Sequence, residues 1–161
     1  MDQVRKILDR FLLSVSSVLI IFLLLGALWQ VFTRYVLQNP SVVTEEVLRF
    51  SLIWIAMLGA SYAFGTDQHL ALTFLRDRFK GRSYRRLRIF NDLIVLIFSL
   101  SVLVIGGSMM VRSTMTETSP ILGVPMGWIY LILPFSGVVI ILYQIMNIRN
   151  WFRSDVQGSE S

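Results

Sequence analysis

Residues Phe11–Thr33 read F-L-L-S-V-S-S-V-L-I-I-F-L-L-L-G-A-L-W-Q-V-F-T, 23 consecutive residues without a charge. A helix of that length rises about 34 Å, enough to cross a hydrocarbon core about 30 Å thick. The stretch therefore predicts a membrane-crossing helix. Working outward, Phe50–Thr66 adds 17 uncharged residues, Leu93–Val111 19 and Thr118–Ile148 31, so the four stretches hold 90 of the 161 residues. The second is expected to begin earlier, near Thr44, an apt N-cap that places Glu45 and Glu46 in the first turn. Pro120, Gly123 and Pro125 break the start of the fourth and leave Met126 to Asn147 as its span. Pro134 is expected to kink that helix, which membrane helices tolerate where a neighbour satisfies the freed carbonyl. The expected fold is an all-α integral membrane protein, one domain over 1–161. Its four transmembrane helices are placed at about 11–35, 45–66, 90–112 and 126–148.

Composition agrees. Hydrophobic residues make up 55% of the chain and charged ones only 16%, against about 25% charge in a soluble domain. There is no cysteine, which excludes disulfides, thiolate metal sites and cysteine nucleophiles. The single histidine, His69, is too few for bis-imidazole haem ligation, and a turn or helix-end residue is its simplest reading. No catalytic residue, cofactor or metal site is expected.

Fifteen basic and ten acidic residues give a net charge of +5, and their placement matters more than the sum. Arg5, Lys6 and Arg10, seven residues from Arg76 to Arg88, and Arg149 and Arg153 fall on one side of the spans, twelve in all. Only Arg34, Arg49 and Arg112 fall on the other. Positive residues stay cytoplasmic, so both termini are expected inside, and the basic excess reports topology and anionic lipid headgroups in place of nucleic acid. A cleaved signal peptide over residues 1–28 is the competing reading, but the 23-residue run exceeds the h-region of about 7–15 residues. The first helix is read as retained.

Between spans two and three, Leu70, Phe74, Leu75 and Phe79 recur at helical spacing beside Arg76, Arg78 and Lys80, which suits a short interfacial amphipathic helix at about 69–80. A solvated basic loop is the alternative. Trp128 and Tyr130 at the outer start of helix four and Trp151 beyond its inner end fit interfacial anchors, and 154–161 reads as a flexible tail.

The span interiors hold no ionisable residue, whereas carriers and intramembrane enzymes place such groups there for function. What remains looks like packing. Ala56 and Ala60, Gly59 and Ala63, and Ser61 and Gly65 are each four apart on helix two, so small residues occupy more than one face and helix two is expected to be central. Glu45 precedes Arg49 by four residues, the favourable order for a helical ion pair, with Arg34 across the outer connection. Either an ordinary hairpin ion pair or a charged docking patch would look like this.

Four segments converge on one family: W-Q-V-F-T-R-Y (29–35), T-E-E-V-L-R-F-S-L-I-W (44–54), G-A-S-Y-A-F-G-T-D-Q-H-L (59–70) and S-P-I-L-G-V-P-M-G-W-I-Y-L-I-L-P (119–134). In order and over nearly the whole chain they resemble the small membrane subunit, DctQ type, of tripartite ATP-independent periplasmic (TRAP) transporters, with an overall likeness to the sialic-acid branch. The resemblance implies a bacterial inner-membrane scaffold for a large elevator-type subunit, which holds the sodium and substrate sites. A periplasmic binding protein would deliver an organic acid, sialic acid or else a C4-dicarboxylate. It implies that Arg34, Glu45, Glu46, Arg49, Trp54 and His69 are structural or subunit-contact positions. A stand-alone four-helix channel, or an assembly or regulatory factor of another system, is the alternative.

Overall fold

The computed structural model describes the backbone of residues 2–65 and 82–157 and the side chains of 3–65 and 89–149. The described residues are overwhelmingly helical. They form α1 (Asp2–Tyr35), α2 (Val42–Gly65), α3 (Arg82–Phe98), a π-helical stretch (Ser99–Gly106), α4 (Gly107–Thr114), α5 (Met126–Tyr130) and α6 (Ile132–Gln157). Four helical stretches, Gln3–Tyr35, Val42–Gly65, Ile89–Thr114 and Met126–Arg149, are long and apolar enough to cross a membrane. The expected interfacial segment, including His69, lies outside the described residues, as does the side chain of Trp151.

The outer hairpin between the first two spans is closed by local chemistry. After α1, Gln38 adopts φ 50°, and the Asn39 N–H folds back to Thr33 O at 3.1 Å. The chain then enters α2 at Val42, two residues before Thr44. Ser41 is the residue that caps it: its Oγ lies 2.8 Å from Thr44 Oγ1 and accepts the Thr44 N–H at 3.4 Å. A serine just after Pro40 satisfies an orphan amide of the first turn, so Thr44 is inside the helix.

The helices pack in the order α1, α2, α6 and then the third span, with the π-helical stretch against α6. The core lies where α1, α2 and the fourth span meet, around Leu12, Leu58, Ile132, Val139 and Tyr143. Half of the fourth span is buried and only 6% of the first, so the fourth helix is the hub. Helix two, expected to be central, instead bridges it to an outlying α1. Two glycines allow the close approach on the other flank. A Cβ on Gly137 would come within 2.7 Å of Leu103 Cβ, and one on Gly107 within 3.0 Å of Leu133 Cβ and Pro134 Cδ. On the third span, Ser99, Leu103, Gly107 and Val111 are all buried at a repeat of four. A 3.6-residue helix would drift from such a repeat, whereas the wider π turn counters the drift.

The kink expected at Pro134 takes the form of a helix break, and α2 makes a contact beside it. Helix α5 ends at Tyr130, four residues before Pro134, and α6 restarts at Ile132; the proline ring excludes a regular i−4 bond. The Trp54 indole Nε1–H donates to Ile129 O at 3.0 Å. A side chain from α2 thus covers a carbonyl at the break and ties the two helices there.

Candidate functional site

The residues singled out in the outer hairpin separate into two environments. Glu45 and Arg49 form the expected i,i+4 ion pair at 3.3 Å, largely exposed. Glu46, one position on and turned about 100° around the helix, is buried, and its Oε2 accepts the Leu122 N–H at 2.9 Å. Arg34 is exposed and has no hydrogen bond or ion pair among the described residues. The four charges of this hairpin do not meet as one cluster.

Glu46 organises the outer connection before the fourth span. Within that loop the Met126 N–H bonds Glu117 O at 2.8 Å and the Ser119 N–H bonds Val124 O at 2.9 Å, so residues 117–126 form a narrow hairpin with a Thr118–Pro125 bridge. Its tip turns at Gly123, whose φ of +66° glycine adopts without penalty. The Leu122 amide, also 3.2 Å from Ser119 Oγ, points inward onto Glu46. A carboxylate on α2 therefore clamps the loop tip, leaving Ile121 and Val124 exposed on its outer side. Trp128 at the start of α5 is exposed and Tyr130 half-buried.

The small residues of α2 likewise divide by face. The Ser61–Gly65 face is consumed inside the chain: Ser61 is fully buried, and a Cβ on Gly65 would meet the Tyr143 ring at 2.7 Å. The Ala56–Gly59 face is open, with nothing within 4 Å of where a Gly59 Cβ would stand. Spacing alone could not tell the two apart; burial does.

At the opposite end a clasp escaped the sequence reading. Arg5 Nη2 donates to Gly65 O at 2.6 Å, putting a guanidinium at the negative C-terminal end of α2. The Tyr143 hydroxyl donates to Asp9 Oδ1 at 2.5 Å. The i,i+4 placement of Arg5 and Asp9 on α1 was the available signal, but it does not name a partner 60 or 134 residues away. Among the described residues no group of three or more His, Cys, Asp or Glu side chains is placed to hold a metal ion.

These features define a multi-pass helical membrane protein whose polar residues hold its own helices and outer loop. Comparison with known proteins supplies the family. Residues 23–154 match the description "Tripartite ATP-independent periplasmic transporters, DctQ component", and the chain belongs to that family. It is similar to the sialic acid TRAP transporter small permease protein SiaQ of Vibrio cholerae, 26% identical over 93% of this chain and 86% of the relative. It is also similar to a provisionally named TRAP transporter small permease protein of Haemophilus influenzae, 28% identical over 85% and 82% of the two chains. The protein is thus a small permease subunit of a TRAP transporter and not an enzyme. Its four apolar spans and relatives point to the bacterial inner membrane.

Proposed function

We propose that this chain is the static brace of a sodium-driven, binding-protein-dependent importer of an organic acid. The observation that carries this reading is the pairing of spans without mid-membrane ionisable groups with a large apolar surface left open on α1 and on the Ala56–Gly59 face of α2. A carrier would hold ion and substrate groups inside its spans; a brace needs area. Small residues on an open helix face let another helix approach closely, and that face is the one assigned here to the large membrane subunit. Substrate and sodium are then bound by the large subunit, and a periplasmic binding protein delivers the acid. The Vibrio cholerae relative is named for sialic acid, which makes sialic acid the first substrate to test and a C4-dicarboxylate the second. Both termini are placed in the cytoplasm by the twelve-to-three distribution of basic residues.

An elevator-type carrier domain moves against a fixed frame, and a wider frame with aromatic and basic anchors resists tilting in the bilayer. Arg34, Arg49 and the 117–126 loop lie at the end assigned to the periplasm, where a binding protein would make a small, transient contact. The test is co-expression with the large permease encoded beside this chain, co-purification, and sialic acid uptake into liposomes with binding protein and a sodium gradient. Stable co-purification and uptake lost without this subunit are expected. Uptake by the large subunit alone at the full rate, or transport by this chain alone, overturns the proposal.

A further inference from the structure

We infer that this subunit carries a site for an anionic phospholipid that runs from the basic end of α1 to the apolar groove between α1, α2 and α6. The inference rests on the orientation proposed above, which sets the Lys6 end of α1 at the cytoplasmic leaflet. Two adjoining hollows share the Phe11 side chain. One is lined by Gln3, Lys6, Ile7, Arg10 and Ser14, and the other, of about 410 Å³, by Val15, Trp54, Leu58, Leu131 and Phe135. The first is basic: Lys6 and Arg10 are four apart, exposed, and without a bond to any described residue, whereas neighbouring Arg5 is engaged at Gly65. The second is almost purely apolar and ends at the helix break that Trp54 braces.

Depth matches a lipid. From Lys6 to Val15 the helix rises about 13 Å, close to one leaflet of a core about 30 Å thick, and turns about half a circle, so the path from the basic hollow to the apolar one rounds α1 at Phe11. A phosphate held by Lys6 and Arg10 at the headgroup level would leave its acyl chain running past Phe11 to the mid-membrane break. Basic residues at the cytoplasmic end of a membrane helix attract anionic headgroups. The groove is also separate from the face proposed for the large subunit. Trp54 and Ala56 are two residues apart and so point to nearly opposite sides of α2, which leaves the Trp54 side to lipid.

The experiment uses the full chain, purified in detergent, in a variant retaining Trp54 as its sole tryptophan. Phosphatidylglycerol and phosphatidylcholine carrying identical brominated acyl chains are titrated against Trp54 fluorescence. Phosphatidylglycerol is expected to quench at about thirtyfold lower mole fraction, the order two basic residues produce at an anionic surface. The exposed-surface double variant Lys6→Gln/Arg10→Gln should bring the two curves together. Equal quenching by both lipids in the unaltered charge background overturns the proposal. So does displacement by free glycerol 3-phosphate, which would make the site one for a soluble phosphate. Loss of quenching when the large subunit is bound would assign the groove to protein, and overturns it too. Because the titration uses this chain alone, its failure leaves co-purification with the large permease untouched.

Discussion

Replacing Glu46 with alanine should unclamp the outer loop, and the size of the effect follows from the contacts. The carboxylate is buried and accepts the Leu122 N–H at 2.9 Å, while the same amide has a longer second acceptor in Ser119 Oγ at 3.2 Å. A hydrogen bond to a charged group contributes about 1.5–3 kcal/mol. The surviving serine contact argues for the low end, about 1.5 kcal/mol, equivalent to roughly tenfold in a local opening equilibrium. Hydrogen exchange of the 117–126 segment, read by mass spectrometry in detergent or nanodiscs, should therefore accelerate about tenfold at Leu122 in Glu46→Ala. Exchange within the core of α6 should be unchanged. Glu46→Gln keeps an acceptor oxygen and should stay within a few-fold of the parent. Unaltered protection at Leu122 in Glu46→Ala would refute the clamp, and equal acceleration across all four spans would show a global loss of fold in its place.

Other substitutions separate the remaining contacts. Trp54→Phe keeps most of the ring but removes the bond to Ile129 O; a loss of about 1–2 kcal/mol in reversible unfolding is expected, and none would mean that the carbonyl finds another donor. Gly65→Val would drive a side chain into the Tyr143 ring, an overpacking worth about 1–3 kcal/mol, visible as a lower melting temperature; Gly59→Val, on the open face, should leave the isolated chain's melting temperature unchanged and weaken co-purification with the large subunit. Arg49→Ala breaks only an exposed i,i+4 pair, so stability of the isolated chain should change by less than about 0.5 kcal/mol. A larger drop would place Arg49 in a contact other than that pair.

Much of the fold was legible because the bilayer imposes a length and a polarity that a linear reading detects. Phe11–Thr33 had to be a spanning helix, Pro134 marked a kink in the fourth span, and Cys-free, mid-span-uncharged helices excluded most chemistry. Helical periodicity further fixed which residues of α2 share a face. It could not say which face meets which neighbour, because Ala56 and Ala60, Gly59 and Ala63, and Ser61 and Gly65 share one spacing, and only packing against Tyr143 buries the last pair. Nor could it divide Glu45 from Glu46: adjacent carboxylates of one sequence motif point about 100° apart, and the partner of Glu46 is a backbone amide 76 residues away. Spans, composition and the asymmetry of charge are properties of the chain itself, set by local transfer energies. The hub position of the fourth helix, the brace at the proline break and the clasp at Arg5 and Asp9 come from side chains meeting backbone and side-chain groups of distant segments, which only the tertiary structure brings within reach.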